Sequence, residues 1–347
     1  MKPAVKFLIY SLLLCSIGCQ NKEQTTKIEY VYTFKEETTV LAKEVEWIDN
    51  YEFMSILCID SFLIILNNKK SKNAFQVYNT VQKNLVVEAG TFGRGPNEFE
   101  FSRLTQQYYK DKNGTFFYLW DEHKKYFYTI NLEKLISGKD FIEKKVPLSD
   151  QLTIQSHVIK IDSVIIGSTM MKEGSLFKYN LLSSKLDFWP NYPNDEKYKE
   201  LSNSERYNLF SRFWMYNKKT KSLIGCTNTA FNRLDFFKLD GTCYKSIILP
   251  SLNYKFKVKN FNDEAPDYAA YALATSNYIY ISYYNHPSKE QHDAKGLISV
   301  LDWNGTPLKQ YIIKNTFISN FTIDSLNNKI YGYAPENEGY AVVEFDL

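Results

Sequence analysis

The stretch Ile59-Asp60-Ser61-Phe62-Leu63-Ile64-Ile65-Leu66 joins a polar turn to a short apolar strand. The same tripeptide returns as Ile161-Asp162-Ser163 and as Ile323-Asp324-Ser325, each time close before another apolar run. Three further polar turns precede similar runs, so that six apolar anchors follow one another at intervals of 48 to 59 residues: Phe62, Phe116, Val164, Leu223, Tyr278 and Ile330. The spacing indicates six copies of one unit of about fifty residues.

Each unit carries a second turn signal, in which a hydrophobic residue is followed by Asn or Asp. The six pairs are Tyr78-Asn79, Ile130-Asn131, Tyr179-Asn180, Leu239-Asp240, Leu301-Asp302 and Phe345-Asp346. Asn and Asp suit the start of a turn because their side chains accept hydrogen bonds from nearby backbone N–H groups. A further strand follows in the first five units, which makes four short strands per unit. This pattern predicts an all-β fold, a six-bladed β-propeller of four-stranded antiparallel blades. The alternative, a β-sandwich, does not require six copies of one pattern.

The sixth unit lacks its fourth strand, because Leu347 follows directly on Asp346. A sheet without its outer strand leaves the preceding strand as an unpaired edge. Thr38–Trp47 alternates well enough to be that strand. We therefore predict a single propeller domain over residues 38–347, closed by an N-terminal strand that completes the last blade. Residues 195–207 are predicted to form a short helix or a loop between the third and fourth units.

Residues 1–18 have the organisation of a signal peptide. Lys2 and Lys6 come first, and the apolar run that follows is only about half of the roughly twenty residues that a membrane-spanning helix needs. Small residues then lead to Cys19 and a polar segment, which resembles the bacterial lipoprotein signal, with Ser16 where Leu is usual. The resemblance implies cleavage before Cys19, lipid on its thiol, and a tether over residues 19–37. The alternative is an ordinary signal peptide with an incidental cysteine.

The composition excludes some classes of protein. The 347 residues are 44% hydrophobic and 16% aromatic, which is enough apolar material for a large core, so a generally disordered chain is excluded. The 42 basic and 39 acidic residues leave too little net charge to attract nucleic acid. Three cysteines remain besides Cys15 of the signal segment and Cys19, the expected site of lipid attachment, and all three are expected to be free thiols: Cys58, Cys226 and Cys243.

The most distinctive motif is Gly90-Thr91-Phe92-Gly93-Arg94-Gly95-Pro96-Asn97-Glu98-Phe99, which connects the first unit to the second. Its glycines permit positive φ angles, and Pro96 stiffens the path. Together with the lipoprotein signal and the six units, the motif resembles the TolB-like propeller lipoproteins of Bacteroidota. It is more weakly similar to NHL-type propellers, which repeat such a connector in every blade. The resemblance implies the propeller fold and a place in the cell envelope, on the outer membrane.

In a propeller, the connectors between blades share one face with the loops between second and third strands. We predict that the ligand-contacting residues lie on this face, at the mouth of the central channel: Arg94, Glu98, Asp121, His123 and His286. His292, Glu290 and Asp293 lie in the same loop as His286. Imidazole and carboxylate groups can bind a divalent metal, although the spacing of His286 and His292 fits no zinc signature. No other cofactor is predicted.

Two functions are compatible with these features. The first is a monomeric, non-catalytic binding or scaffold module, anchored to the membrane through lipid on Cys19, with a protein, peptide or glycan as ligand. The alternative is a metal-dependent, lactonase-like hydrolase or lyase with its site at the channel mouth. The sequence contains no Gly-x-Ser-x-Gly nucleophile motif.

Overall fold

The structure is a computed structural model, which describes residues 26–48, 53–67, 72–152, 155–171, 174–189, 201–227, 232–249, 266–287, 296–336 and 339–347. The predicted signal peptide and Cys19 lie outside the described residues. The chain begins with three short strands: β1 (Lys27–Tyr30), β2 (Glu36–Val40) and β3 (Lys43–Glu44). The next eight strands form the first two blades: β4 (Phe53–Ile59), β5 (Phe62–Asn67), β6 (Asn73–Asn79), β7 (Asn84–Thr91), β8 (Ser102–Asp111), β9 (Gly114–Asp121), β10 (Tyr126–Asn131) and β11 (Ile142–Pro147).

Four more blades complete the ring. Blades three and four contain β12 (Gln155–Ile161), β13 (Val164–Met171), β14 (Gly174–Asn180), β15 (Leu186–Trp189), β16 (Arg212–Asn217), β17 (Ser222–Thr227), β18 (Arg233–Phe237) and β19 (Cys243–Ile248). Blades five and six contain β20 (Pro266–Ala274), β21 (Tyr278–Pro287), β22 (Gly296–Asp302), β23 (Pro307–Ile313), β24 (Phe321–Asp324), β25 (Lys329–Glu336) and β26 (Gly339–Asp346). The six sheets confirm the predicted six-bladed propeller.

Two short helices occur in the described part of the chain, α1 (Leu132–Ile136) and α2 (Asn203–Phe210). The Asn131 side chain caps α1 by accepting a hydrogen bond from the N–H of Lys134 at 2.9 Å. Ser202 and Glu205 form a capping box at the start of α2, in which the side chain of each residue accepts a hydrogen bond from the backbone N–H of the other. The helix α2 begins within the predicted 195–207 segment and continues beyond it, whereas α1 was not predicted.

The first strand of each blade lies next to the ring axis, and neighbouring blades are joined there by side chains. The N–H of Leu104 donates to Oγ of Ser55 at 2.9 Å, and the N–H of Cys58 donates to Oγ1 of Thr322 at 2.8 Å. The Gln107 amide bridges to the backbone of Lys160, accepting from its N–H at 2.7 Å and donating to its carbonyl at 2.9 Å. These contacts satisfy backbone groups that an inner sheet edge otherwise leaves without partners.

The ring is closed by the N-terminal segment, as predicted. β3 pairs antiparallel with β26, and the N–H of Val45 donates to the carbonyl of Val342 at 2.9 Å. The predicted 38–47 strand is nevertheless two strands, because β2 pairs parallel with β23 in blade five. β1 pairs parallel with β19 in blade four. The segment therefore follows the outer edges of blades four, five and six in turn, which covers three edges rather than one.

Because the strands of a blade alternate in direction, the propeller has two ends. The turn end carries the turns between first and second strands and between third and fourth strands. The connector end carries the loops between second and third strands and the connectors between blades. Every turn at the turn end belongs to the described residues.

Packing between blades accounts for the many aromatic residues. Phe75 of blade one packs edge to face on Phe99 of the Gly-rich connector at 5.3 Å and on Phe117 of blade two at 6.2 Å between centroids. Cys58, Cys226 and Cys243 are free, and the first two are buried, as predicted. In the described residues, no helix is long and apolar enough to cross a membrane.

Candidate functional site

The ring axis contains a cavity of about 1040 Å³. The first strands of the blades line most of it, from Arg103 and His157 near the connector end to Lys110 and Lys218 at the turn end. Pockets that bind small ligands in proteins are typically about 300–1,000 Å³. The cavity is therefore large enough for a drug-sized molecule or a short oligomer.

Most of the charged side chains among the described residues that line the cavity are basic. The lining contains one carboxylate, that of Asp162, against five basic side chains: Arg103, Lys110, Lys160, Lys218 and Lys219. The whole chain is nearly balanced in charge, with 42 basic and 39 acidic residues. The excess of basic residues in the lining therefore comes from their placement, and it favours an anionic ligand, although Lys110 is paired with Asp60 at 2.5 Å.

Arg103 is the cation nearest the connector end of this lining. Its guanidinium carbon lies 5.2 Å from the centre of the Phe101 ring. Its Nε is buried and has no hydrogen-bond partner among the described residues. A buried donor without a partner costs roughly 1–3 kcal/mol. An acidic group bound in the cavity would supply the missing acceptor and recover that cost.

His157 and Tyr271 lie close to Arg103 and remain uncharged. Burial, reinforced by the positive charge of Arg103, lowers the pKa of His157 to about 3. Burial raises the pKa of Tyr271, so its hydroxyl keeps its proton. The backbone of His157 is left-handed, with φ of 51°, at an irregularity in the pairing of β12 with β13. Strain of this kind is concentrated at binding sites. Both side chains can form neutral hydrogen bonds beside the guanidinium.

Lys160 is the half-buried cation near the turn end. Its Nζ lies 3.4 Å from the hydroxyl of Tyr118 and 5.1 Å from the centre of that ring. Burial lowers the pKa of Lys160, which means that part of its hydration has already been lost. A cation that is partly dehydrated in this way gains more from an anionic ligand than a fully hydrated one.

Glu98 and Asp121 have structural partners in the Gly-rich connector. The Glu98 carboxylate accepts a hydrogen bond from the N–H of Gly95 at 2.6 Å and fills the space over Gly93. A Cβ at Gly93 would lie within van der Waals overlap of that carboxylate. Asp121 is fully buried and accepts from the N–H of Glu100 and from Oγ of Ser102, both at 2.7 Å. These bonds tie the connector to the end of β9.

Arg94 and His123 lie together on the surface beside the same connector. The Arg94 side chain is 87% exposed, and its Nε lies 3.3 Å from Oε1 of Glu100. Nδ1 of His123 lies 3.7 Å from the same oxygen, and its ring stacks on Phe101 at 5.0 Å. His286 lies in β21, towards the connector end, and its side chain is outside the described residues, as are Glu290, His292 and Asp293.

The structure thus brings four of the five predicted residues to one connector, at the predicted end of the propeller. None of these four lies in the described lining of the cavity, and their contact with a ligand stays a prediction. In the described part of the chain, no three His, Cys, Asp or Glu residues are close enough together to hold a metal ion. The metal prediction also involved His286 and His292, so it remains a prediction.

Sequence reasoning missed Arg103, His157, Lys160 and Tyr271. A signal was available, because the first strand of every propeller blade faces the axis. Polar residues in the first strands of several units could have been collected and compared. That comparison would have included Arg103 of β8 and Lys160 of β12.

No protein-family model and no curated protein matches the chain. Solved structures do resemble it. A DUF4221-family protein from Bacteroides vulgatus has a TM-score of 0.58 at 12% identity, over 88% of this chain and 97% of that one. A protein from Bacteroides fragilis whose name describes it as exported has a TM-score of 0.51 at 13% identity, over 92% and 98%. Chaetomium thermophilum Raptor has a TM-score of 0.50 at 6% identity, over 86% of this chain and 28% of that one. At these identities the similarity establishes the fold alone.

Proposed function

We propose that the protein is an envelope-anchored, non-catalytic binding module whose central cavity holds an acidic group of a peptide, protein or glycan. The observation that carries this proposal is Arg103, a cation in the cavity lining whose buried Nε has no partner among the described residues. Two features support the envelope location: similarity to a Bacteroides protein whose name describes it as exported, and the lipoprotein-like signal before Cys19.

The neighbours of Arg103 suit a binding role. A guanidinium forms charge-assisted hydrogen bonds with carboxylates, and these are about twice as strong as bonds between neutral groups. His157 and Tyr271 add neutral polar groups, and Phe213 adds an apolar surface in the same lining. The wall thus combines polar groups that can orient a ligand with apolar surface that it can cover.

The first prediction concerns the variant Arg103→Gln. Calorimetric titration with digalacturonate, maltose and a triglutamate peptide would identify the class of ligand that binds. We expect an acidic ligand to bind one-to-one and to be recovered chemically unchanged. Arg103→Gln should then weaken binding by about tenfold or more, because a charged hydrogen bond contributes roughly 1.5–3 kcal/mol.

The matched control is Arg94→Gln, which removes an exposed guanidinium outside the cavity lining. Its effect on affinity should be less than about threefold, corresponding to the small contribution of exposed charges. Equal losses in the two variants would contradict the assignment of the site to the cavity. A bound ligand that is converted to product would contradict the non-catalytic role.

The second prediction concerns the anchor. In cells, Cys19→Ser should move the protein from the membrane pellet to the soluble fraction, because the thiol that carries the lipid is gone. Labelling with an alkyne fatty acid, followed by mass spectrometry of the N-terminal peptide, measures the modification directly. Cys58→Ser is the control and should keep both label and membrane association. Labelled protein from the Cys19→Ser variant would refute the anchor at this residue.

A further inference from the structure

The N-terminal chain reaches the propeller at its turn end. β1 pairs parallel with β19, starting with Lys27 opposite Lys245. Oγ1 of Thr26 donates to the carbonyl of Cys243 at 3.1 Å, and Cys243 is the first residue of β19. Since fourth strands run from the turn end to the connector end, the chain joins blade four from the turn side.

The distance from there to the proposed lipid is short. Seven residue steps separate Cys19 from Thr26, and they span at most about 25 Å when fully extended. A lipid on Cys19 would therefore hold the turn end of blade four within that distance of the bilayer. This step depends on the anchoring proposed above, whereas the next observations do not.

Apolar side chains project from the tips of turns at this end. Val81 is 61% exposed, Leu182 is 83% exposed and Leu326 is 64% exposed, each in a different blade. All three share one local geometry, because the backbone N–H of each donates to the Asn or Asp side chain two residues earlier, at 2.9–3.0 Å. The turns therefore hold these apolar groups outward in water, where no described residue covers them.

Aromatic and basic residues lie at the same end of the propeller as the apolar tips. Four tyrosines near the turns are between 37% and 47% exposed: Tyr108, Tyr109, Tyr244 and Tyr278. The turns between the strands at this end contain five carboxylates against nine lysines, of which Lys134 and Lys185 are paired with Glu143 and Asp187 of adjoining strands: Lys83, Lys112, Lys134, Lys139, Lys185, Lys218, Lys219, Lys221 and Lys238. An end that combines apolar tips with tyrosine and lysine has the composition of a membrane-interface surface.

We infer that the turn end docks onto a lipid bilayer that carries anionic headgroups. The apolar tips enter the headgroup region, and the lysines lie against the phosphates. The tether reaches the propeller on the same side, so anchor and docking surface act together. The connector end then faces away from the membrane and presents the Arg94–His123 surface to partners.

Vesicle binding of the unlipidated Cys19→Ser chain tests the surface without the anchor. Vesicles of phosphatidylcholine and phosphatidylglycerol in equal parts should bind the chain, and pure phosphatidylcholine vesicles should bind it several-fold more weakly. The triple variant Val81→Ser, Leu182→Ser, Leu326→Ser should lose about tenfold in partition coefficient, because it removes the inserting groups. The control is Leu41→Ser with Tyr340→Ser, which changes exposed residues at the connector end and should bind like the parent.

Orientation is measured on the lipidated chain. Bimane is attached at Leu182→Cys or at Lys72→Cys, each in a Cys243→Ser background, and brominated lipids serve as quencher. We expect strong quenching at position 182 and little at 72, which lies at the connector end. Equal quenching at both sites, or a triple variant that binds like the parent, would overturn the docking surface. Neither result would contradict the proposal that the cavity binds an acidic ligand, because ligand titration tests that proposal separately.

Discussion

The double substitution Val45→Ala and Ile48→Ala is expected to lower the free energy of unfolding by about 4–6 kcal/mol. Val45 and Ile48 are 3% and 4% exposed, and they lie in one apolar cluster with Ile56 of blade one and Val342 of blade six. Truncating a buried Ile or Leu costs about 2–5 kcal/mol, and a buried Val somewhat less. The cluster joins the two ends of the chain, so its loss opens the ring where β3 closes it.

Denaturant unfolding followed by tryptophan fluorescence measures this loss. The matched control is Ile28→Ala with Tyr30→Ala, which removes side chains that are 55% and 60% exposed on the added edge strand β1. That pair should change the unfolding free energy by less than about 1 kcal/mol. A loss of similar size in the two variants would show that closure does not depend on the buried pair.

The second large effect is expected for Asp235→Ala in blade four. The Asp235 carboxylate is 1% exposed and lies 2.9 Å from Nη2 of Arg212, 2.5 Å from Nε of Arg233 and 2.6 Å from Oγ of Ser246. The Arg212 side chain is itself only 4% exposed. Removing the carboxylate leaves a buried guanidinium without its counter-charge, which costs about 3–5 kcal/mol. Thermal unfolding and denaturant unfolding would both measure this loss of stability.

The control is Asp187→Ala, which breaks an exposed pair with Lys185 at 2.9 Å and should cost less than about 1 kcal/mol. The pH dependence gives a second readout. Burial alone raises the pKa of Asp235, but the charges of Arg212 and Arg233 and the bond from Ser246 lower it overall, below its ordinary value of 3.8. A lowered folded-state pKa contributes stability that is present above pH 3.8 and is lost as the pH falls through the folded value. The difference in unfolding free energy between the parent and Asp235→Ala should therefore become smaller in strong acid. A difference that does not change with pH would contradict this account.

Much of the fold could be predicted because the sequence repeats. The tripeptide before Phe62 and the turn after Tyr78 mark positions that recur in later units, and turn chemistry is local. The closing role of the N-terminal segment was also predictable, since the sixth unit lacks a strand. The assignment of Thr38–Trp47 to one strand was wrong in detail. Parallel addition of β2 to blade five depends on an open edge far along the chain, which local alternation does not reveal.

The amino-acid sequence was sufficient to predict the six units, their four-stranded form and one face of the propeller for Arg94, Glu98, Asp121 and His123. Tertiary structure alone decided which groups face the axis, which charges lose their hydration and which end the N-terminal chain approaches. Arg103 and His157 are separated by a whole blade in sequence, and they meet only because the ring curves. Turn preferences act over a few residues and can be seen in the chain, whereas burial and electrostatic potential depend on residues from several blades at once.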